Sequence, residues 1–280
     1  MFSTVVINLD RDPDRLDYMR EQLDREGVSF ERFPAILGAA MPATLRRYFT
    51  AAEDGTGFLS KGELGCYASH LGVYEAIADG RIPSPALVLE DDVKVPENLR
   101  GLMEQILQAA PADWDFVRLS SPAKRAYFTI ADLSPPYALV RYSISPGSNG
   151  AILVSQSGAR KFTDRSDLRS APIDQDNRQL WRFNMNLYGV VPEPIRGNSL
   201  ETSTIDALGH MRVREDRARQ VELRRMRKLG RRHAWNIGKV GFVAWASSEA
   251  VSVVAAVIGK RARPGFLAST GRWLGKLAKV

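Results

Sequence analysis

Segment 86–93 constrains the fold most strongly, because an apolar run passes directly into three consecutive acids. Its sequence is Ala-Leu-Val-Leu-Glu-Asp-Asp-Val, and prolines lie on both sides of it. An apolar run of this length between prolines predicts a short buried strand. The acids then fall at the carboxyl end of that strand, where open α/β sheets usually place their ligand sites.

The three acids, Glu90, Asp91 and Asp92, predict a cation site. Side chains alternate along an extended chain, so Glu90 and Asp92 are expected on one side and Asp91 on the other. Two neighbouring carboxylates repel each other unless a cation lies between them or one is protonated. Mg²⁺ and Mn²⁺ prefer oxygen ligands and often bind through one or two carboxylates plus substrate phosphates. The alternative is a solvated acidic turn, because short acidic runs are common.

The first 35 residues follow a strand–helix–strand pattern. β-branched and apolar residues at 4–9 predict a first strand, and Asp12-Pro13 is typical of a helix N-terminus. A second strand is predicted at 29–35. Strands that alternate with helices predict an α/β fold in which helices flank a sheet.

Further elements continue this pattern. Ser60 and Glu63 form a capping box at the start of a helix that leads into segment 86–93. Helices are also predicted near 45–49, over 98–108 and 155–165, and from 172 through Leu180 and Trp181. Strands are predicted at 114–119, 137–144, 151–154 and 187–191, with a loop of small residues at 145–150.

The net charge of +7 is distributed unevenly along the 280 residues. Residues 210–280 hold 17 lysines and arginines against 4 acids, a balance of +13, and the rest of the chain balances at −6. This shift predicts a body at 1–207 and a basic, mainly helical, amphipathic extension at 208–280. A basic tail favours an anionic partner, either a membrane surface or nucleic acid. The acidic body and the lack of a zinc pattern or an RNA-binding motif in the tail sequence argue against nucleic acid.

Two apolar segments of the tail predict a role at a membrane interface. Segment 235–259 is about as long as a membrane span, but Lys239 and Glu249 lie inside it, and ionisable residues are costly at bilayer depth. Segment 266–280 predicts an amphipathic helix that lies in the interface and favours anionic lipid. The alternative is a helical subdomain whose apolar side is simply core, because periodicity does not distinguish the two.

Cysteine content and the N-terminus predict a cytoplasmic location. The single cysteine, Cys66, excludes an intrachain disulfide and fits a reducing compartment. The N-terminus has no basic region followed by a long apolar core, so no signal peptide is predicted. Together with the basic tail, this predicts a peripheral position at the inner face of the plasma membrane.

Four short sequence motifs occur in this chain in an order and spacing that together indicate a protein family. They are Val-Ile-Asn-Leu-Asp-Arg near the N-terminus with Arg15 just beyond, Leu-Ser-Lys-Gly-Glu-Leu-Gly-Cys-Tyr-Ala-Ser-His-Leu at 59–71, Val-Leu-Glu-Asp-Asp-Val at 88–93, and 149–161 followed by Pro-Ile-Asp at 172–174. In order and spacing they resemble glycosyltransferase family 25, the lipopolysaccharide and lipooligosaccharide glycosyltransferases, many of them galactosyltransferases. The resemblance spans roughly residues 3–205 and stops before the tail.

The resemblance implies a GT-A-like mixed sheet flanked by helices, a nucleotide-sugar donor and an inverting transfer. It places segment 90–92 where such enzymes carry a DxD-like metal motif, with Glu at the first position instead of Asp. Asp92 and Glu90 are the predicted ligands of Mn²⁺ or Mg²⁺, and Glu90 could instead contact the ribose. The predicted donor-binding residues are Asn8, Arg11, Arg15, His70, Glu90, Asp91, Ser148, Asn149 and Gly150.

Inversion requires a base that takes the proton of the acceptor hydroxyl on the face opposite the leaving group. Asp174 and Asp176 are the predicted catalytic residues, because they open a helix beside the small-residue loop. The alternative for both is capping of the helix N-terminus, which acids commonly do.

Three other residues have structural alternatives. His70 shares a helix face with Cys66, and a hydrogen-bonded core histidine is the more common role for such a residue. Arg15 could contact the donor diphosphate, or it could pair with Asp12 or Glu31. Cys66 is expected to fill space rather than to react.

These features together predict a metal-dependent glycosyltransferase that moves a hexose, galactose from UDP-galactose, onto a lipooligosaccharide or related glycolipid or saccharide acceptor. The nearest alternative is the same fold with UDP-glucose or a UDP-N-acetylhexosamine as donor. A catalytically inert scaffold is an alternative from another class, and the intact acidic triplet argues against it.

Overall fold

The computed structural model describes residues 1–49, 59–164, 169, 171–197 and 229–278. Its strands are β1 (Ser3–Asn8), β2 (Glu31–Pro34), β3 (Ala86–Glu90), β4 (Val93–Lys94), β5 (Phe116–Arg118), β6 (Tyr127–Asp132), β7 (Ala138–Tyr142), β8 (Ala151–Val154), β9 (Leu187–Val191) and β10 (Arg196–Gly197). Its helices are α1 (Pro13–Arg25), α2 (Ala43–Arg46), α3 (Lys61–Ala78), α4 (Leu99–Ala109), α5 (Gln156–Thr163), α6 (Ile173–Asp176), α7 (Leu180–Phe183), α8 (described over 229–240), α9 (Phe242–Val257) and α10 (Arg263–Leu277).

Eight strands form one mixed sheet in the order β2-β1-β3-β8-β5-β9-β7-β6, and β4 pairs with β10 beside it. β1 runs parallel to both of its neighbours, β2 and β3, whereas β8 lies antiparallel between β3 and β5. Because β1 and β3 are parallel, their carboxyl ends at Asn8 and Glu90 meet at the same end of the sheet. The predicted mixed sheet with flanking helices is therefore confirmed.

Helices cover both faces of this sheet. Side chains alternate along β1, so Val5 and Ile7 join the core on the face of α3 and α5, whereas Val6 joins the core on the face of α1 and α4. The same alternation along β3 places Val88 on the first face and Leu89 on the second. The fold thus has three layers, with the sheet in the middle.

Two predicted elements differ from the structure. The helix predicted from 172 is divided into α6 and α7, because the side chains of Asp176 and Asn177 enter buried hydrogen bonds that compete with a continuous helix. The strand of segment 86–93 ends at Glu90, and the next two acids form the turn that follows it. β6 was not predicted, because its central residues alternate weakly between apolar and polar.

The described part of the tail is helical, as predicted, and it packs against the body. Gly241 has a φ of +83° and separates α8 from α9. α10 packs against β6, and its residues Leu267 and Leu274 are buried. This packing agrees with the alternative of a helical subdomain, and the predicted boundary at 207 lies outside the described residues. Within the described ranges, no helix is both long enough and apolar enough to span a bilayer.

Candidate active site

A cleft of about 290 Å³ opens at the carboxyl ends of β1 and β3. Its apolar lining consists of Ile7, Leu9, Ala35, Ile36, Leu37 and Ala39. Its polar lining includes the acidic triplet 90–92 together with Arg11, Arg15 and Lys61. The cleft therefore lies where the position of the acids predicts a ligand site.

Helix α3 contributes Cys66, Ser69 and His70 to the wall of the cleft. The predicted capping box at its start is confirmed. Ser60 Oγ accepts a hydrogen bond from the amide of Glu63 at 3.2 Å, and the Glu63 carboxylate accepts one from the amide of Ser60 at 2.9 Å. The cap fixes the residue at which α3 begins. The start of the helix in turn determines which of its later side chains point towards the cleft.

Glu90 connects the strand to both neighbouring walls. Its Oε1 lies 3.1 Å from His70 Nε2 and 3.9 Å from Cys66 Sγ. Its amide donates to the carbonyl oxygen of Gly150 at 2.9 Å. Because only 1% of His70 is exposed, this histidine acts on the site mainly through Glu90, which is the core role that the sequence left open.

Asp91 turns away from Glu90 and is buried at the base of α1. Asn8 Nδ2 donates to Asp91 Oδ2 at 2.8 Å, and Arg15 Nη1 lies 3.4 Å from Asp91 Oδ1. Burial raises the pKa of Asp91, although Asn8 and Arg15 favour the charged form. Asn8 is 1% exposed, so the structure assigns it to positioning Asp91 instead of direct donor contact, and the ion-pair partner of Arg15 is Asp91 instead of Asp12 or Glu31.

Asp92 is the acid that a cation would stabilise most. Burial raises its pKa to about 6, and the nearby carboxylates of Glu90 and Asp91 contribute to that increase. Removing carboxylates from water and placing them side by side costs free energy that a divalent cation offsets. Carboxylate oxygens such as those of Asp92 and Glu90 are ligand types that Mn²⁺ and Mg²⁺ prefer, and the metal site stays a prediction.

The small-residue loop at 145–150 lies between Glu90 and Asp174. A Cβ added to Gly150 would lie 3.7 Å from Glu90 Oε2, and one added to Gly147 would lie 3.0 Å from Asp174 Oδ2. Ser148 at the loop tip is exposed and has a φ of +79°. The loop is thus placed to bring backbone and small side chains close to both groups of acids.

The other predicted loop residue, Asn149, is buried below the tip. Its Oδ1 accepts a hydrogen bond from Asn177 Nδ2 at 3.0 Å and another from Arg118 Nη1 at 3.5 Å. Its side-chain amide nitrogen, Nδ2, has no hydrogen-bond partner among the described residues. Asn149 therefore anchors the loop to the core, and only its free amide nitrogen is left to bind a ligand.

The two predicted catalytic acids have different surroundings. Asp176 is 1% exposed, and its carboxylate accepts hydrogen bonds from Tyr67 at 3.0 Å, Gln179 at 2.9 Å and Arg182 at 3.0 Å. Asp174 is half-buried beside the loop, and no residue in the described ranges forms a hydrogen bond with its carboxylate. The geometry favours Asp174 as the group that can accept a proton and gives Asp176 a structural role.

Arg118 is a residue of the site that the sequence analysis missed. It is fully buried at the carboxyl end of β5, where burial lowers its pKa, and it donates to Asn149. Its Nε and Nη2 atoms have no hydrogen-bond partner in the part of the chain that the structure describes. Alternation along β5 places Arg118 on the same face as Phe116, and this was the available signal that the arginine points inwards.

Comparison with known proteins identifies the part of the chain that carries the cleft. Residues 1–135 match the sequence model of glycosyltransferase family 25, described as LPS biosynthesis proteins. This part of the chain is similar to glycosyltransferase family 25. The family 25 match includes α3 and the acidic triplet, and it ends before the loop at 145–150 and before Asp174. The placement of that loop and of Asp174 beside Glu90 therefore rests on the structure and not on the family match.

Curated members of family 25 are similar over a larger part of the chain. A probable inactive glycosyltransferase 25 family member 3 of Bos taurus is 28% identical over 187 residues, which cover 61% of this chain and 30% of the relative. The inactive family member 3 of Homo sapiens is 29% identical with the same coverage. Procollagen galactosyltransferase 1 of Danio rerio is 28% identical over 185 residues, again 61% of this chain and 30% of the relative. This chain therefore spans about 30% of the length of these relatives.

Among solved structures, the apo form of mouse xyloside xylosyltransferase 1 is similar over 65% of this chain and 63% of that chain. The sequence identity is 16% and the TM-score is 0.28.

Proposed function

We propose that this chain is a metal-dependent, inverting glycosyltransferase that moves a hexose, galactose from UDP-galactose, onto a lipooligosaccharide or related glycan. The observation that carries the proposal is the acidic triplet 90–92 in a cleft that also has apolar and cationic walls. The description of the family as LPS biosynthesis proteins supports the acceptor class. The similarity to procollagen galactosyltransferase 1 supports galactose as the sugar.

The cleft suits the nucleotide diphosphate part of a donor. Its six apolar side chains offer a surface for a base and ribose, and Arg11, Arg15 and Lys61 offer cations to a diphosphate. Its volume is close to the lower limit for ligand clefts, so we expect it to hold the nucleotide while the sugar extends towards the loop at 145–150.

Asp92 and Glu90 are the proposed ligands of the divalent cation, because Asp91 is committed to Asn8 and Arg15. When bound, Mn²⁺ or Mg²⁺ would offset the negative charge that develops on the departing diphosphate. Arg15 holds Asp91 in place next to these two proposed ligands.

Asp174 is the proposed base. As the bond between the anomeric carbon and the diphosphate oxygen breaks, the acceptor oxygen forms a new bond to that carbon from the opposite face. The proton of the acceptor hydroxyl passes to the Asp174 carboxylate, and the nucleoside diphosphate leaves with the electron pair of the broken bond. Asn149 and Arg118 position the loop along which the acceptor would lie.

We further propose that α9 places the enzyme on an anionic membrane surface. The residues of α9 that face the core are Ala244, Ser248, Val251, Ser252 and Ala255. Its exposed large apolar residues are Phe242, Val243, Val253, Val254 and Val257. At 3.6 residues per turn, the exposed set falls within an arc of about 120° on the opposite side of the helix.

An exposed apolar face of this kind marks an interaction surface. Lys260 and Arg261 are exposed directly after the end of α9, and Trp273 of α10 is half-exposed. An apolar face with cations beside it fits a membrane interface that contains anionic lipid, where each nearby Lys or Arg contributes about 1 kcal/mol. The arginine-rich segment 212–228 lies outside the described residues.

The second candidate is an inert scaffold of the same fold, which the inactive relatives favour. A donor screen distinguishes the two. The full chain is incubated with Mn²⁺ and a panel of nucleotide sugars, and release of the nucleoside diphosphate is measured with and without a deacylated lipooligosaccharide acceptor.

We expect acceptor-dependent release from UDP-galactose that stops when EDTA is added. Release from UDP-glucose or a UDP-N-acetylhexosamine alone would change the donor assignment. Absence of release with every donor, together with absence of UDP binding in the presence of Mn²⁺, would favour the inert scaffold.

A further inference from the structure

Two other side chains that can bind a metal ion, a thiol and an imidazole, lie beside the carboxylates of the cleft. Cys66 and His70 are four residues apart on α3 and therefore share one face of the helix. Cys66 Sγ and His70 Nε2 lie 3.9 Å and 3.1 Å from the same oxygen, Glu90 Oε1. A thiol, an imidazole and a carboxylate together are the ligand types of a tetrahedral Zn²⁺ site.

The two distances to Glu90 Oε1 are close to those that such an ion requires. With zinc–sulfur, zinc–nitrogen and zinc–oxygen bonds of their usual lengths, the ligand atoms of a tetrahedral site lie about 3.3 to 3.6 Å apart. The three atoms here lie within 4.8 Å of one another. Because Cys66 and His70 are on one capped helix and Glu90 ends a central strand, their backbone positions are already fixed.

The electrostatic environment favours a cation at the sulfur. The Cys66 thiol lies 3.9 Å from the Glu90 carboxylate, and the carboxylates of Asp174 and Asp92 also act on it. A bound cation offsets the surrounding negative charge and releases the thiol proton, and soft thiolate ligands select Zn²⁺ over Mn²⁺ or Mg²⁺.

We propose that Cys66, His70 and Glu90 form a binding site for a thiophilic divalent cation of the Zn²⁺ class, and that its occupancy inhibits transfer by withdrawing Glu90 from the donor site. The inhibition rests on the proposed function, whereas the binding does not. All three residues line the cleft, so water or a donor oxygen would complete the coordination of the ion.

Binding is tested with Co²⁺ as a spectroscopic probe for Zn²⁺ on the full chain. Thiolate ligation to Co²⁺ gives a near-ultraviolet charge-transfer band, and Cys66 is the only cysteine, so Cys66→Ser must abolish that band. We expect His70→Gln and Glu90→Gln each to weaken Zn²⁺ binding at least about tenfold in competition with a chromophoric chelator.

Asp92→Asn is the matched control, because it removes a proposed oxygen ligand of the donor site and should keep the charge-transfer band. Absence of the band in the wild type, or unchanged Zn²⁺ affinity in both Gln variants, would overturn the site.

Inhibition is tested separately. The ratio of transfer rates with and without Zn²⁺ is measured at fixed Mn²⁺ for the wild type and for Cys66→Ser. We expect Zn²⁺ to lower the rate of the wild type at least tenfold more than that of the variant. Equal inhibition of both proteins would overturn the regulatory role. If no transfer is detected at all, the proposed function fails, and the Co²⁺ band still decides whether the thiophilic site exists.

Discussion

At the scale of single residues, Asp92 is the proposed metal ligand on which we expect donor binding to depend most. Asp92→Asn keeps the shape of the side chain but removes its charge. We expect transfer to fall roughly 100-fold or more, and UDP binding in the presence of Mn²⁺ to weaken, because charge on the leaving group is no longer offset. Asp79→Asn is the control, because Asp79 is exposed and pairs only with Arg81 in the described structure. Full activity of the wild type and of Asp92→Asn in EDTA would contradict the metal assignment.

Without metal, Asp92→Asn should also change how the stability of the fold depends on pH. Folding raises the pKa of Asp92 from 3.8 to about 6. Between these values the folded state keeps a proton that the unfolded state has released, so the contribution of Asp92 to stability falls as the pH rises. In EDTA, the melting temperature of Asp92→Asn should therefore rise relative to the wild type from pH 4 to pH 7. A constant difference over this range would mean that the carboxylate is not destabilised in the fold.

A pair of matched substitutions distinguishes the roles of Asp174 and Asp176. Asp174→Asn should lower turnover about 100-fold or more with little change in donor affinity or melting temperature, because the base acts in the transition state. Asp176→Asn should instead destabilise the fold by about 2 to 4 kcal/mol, since it removes the buried negative charge that accepts hydrogen bonds from Tyr67, Gln179 and Arg182. Both variants are measured by steady-state kinetics and urea unfolding. Turnover of Asp174→Asn within a few-fold of the wild type would remove Asp174 as the base.

The sequence identifies residues that act through local patterns and misses those that act through distant contacts. The acidic triplet was predicted because its chemistry is visible in eight consecutive residues. The bond from Asn8 to Asp91 joins residues 83 positions apart, so the buried role of Asn8 was not visible. Arg118 was missed for the same reason, because an arginine in a strand is usually exposed and its burial depends on residues from α6 and the loop.

At the scale of elements, α10 docks on β6 through glycines. A Cβ on Gly275 would lie 2.2 Å from the carbonyl oxygen of Thr129, and one on Gly271 would lie 2.4 Å from the ring of Tyr127. Gly275→Ala should therefore cost about 1 to 3 kcal/mol in the free energy of urea unfolding. Gly265→Ala in the same helix meets no atom within 4 Å and should leave stability unchanged or slightly higher. Equal stability of the two variants would show that α10 does not pack as described.

The bounds of a helix or strand can be predicted from the sequence where the residues of that element alone determine them. The strands at 151–154 and 187–191 and the capped start of α3 were predicted with their observed bounds, because each has a strong local pattern. α6 and α7 were predicted as one helix, because the buried hydrogen bonds of Asp176 that divide them come from other elements. The described tail packs on the body as the subdomain alternative expects, whereas the membrane-interface alternative stays a prediction that concerns the exposed apolar side of α9.

At the scale of the whole molecule, we expect the full chain to sediment with anionic vesicles in a salt-sensitive manner. Val253→Ser with Val257→Ser should weaken this binding roughly tenfold, because each substitution removes apolar area from the exposed face of α9. Both residues are exposed, so the melting temperature should not change. Neutral vesicles are the control for the charge contribution of Lys260 and Arg261. Equal sedimentation of the wild type and the double variant would contradict this surface.

The docking of α10 has a further consequence for how the protein is made. β6 is an edge strand, and edge strands with unpaired backbone groups are templates for aggregation unless something covers them. The helix that packs on this edge is about 130 residues further along the chain. At typical rates of synthesis, the interval between the two is on the order of 10 s. A nascent chain that has already formed its sheet must therefore keep an open edge in solution until α10 arrives, and aggregation during synthesis should depend on how soon α10 can reach β6.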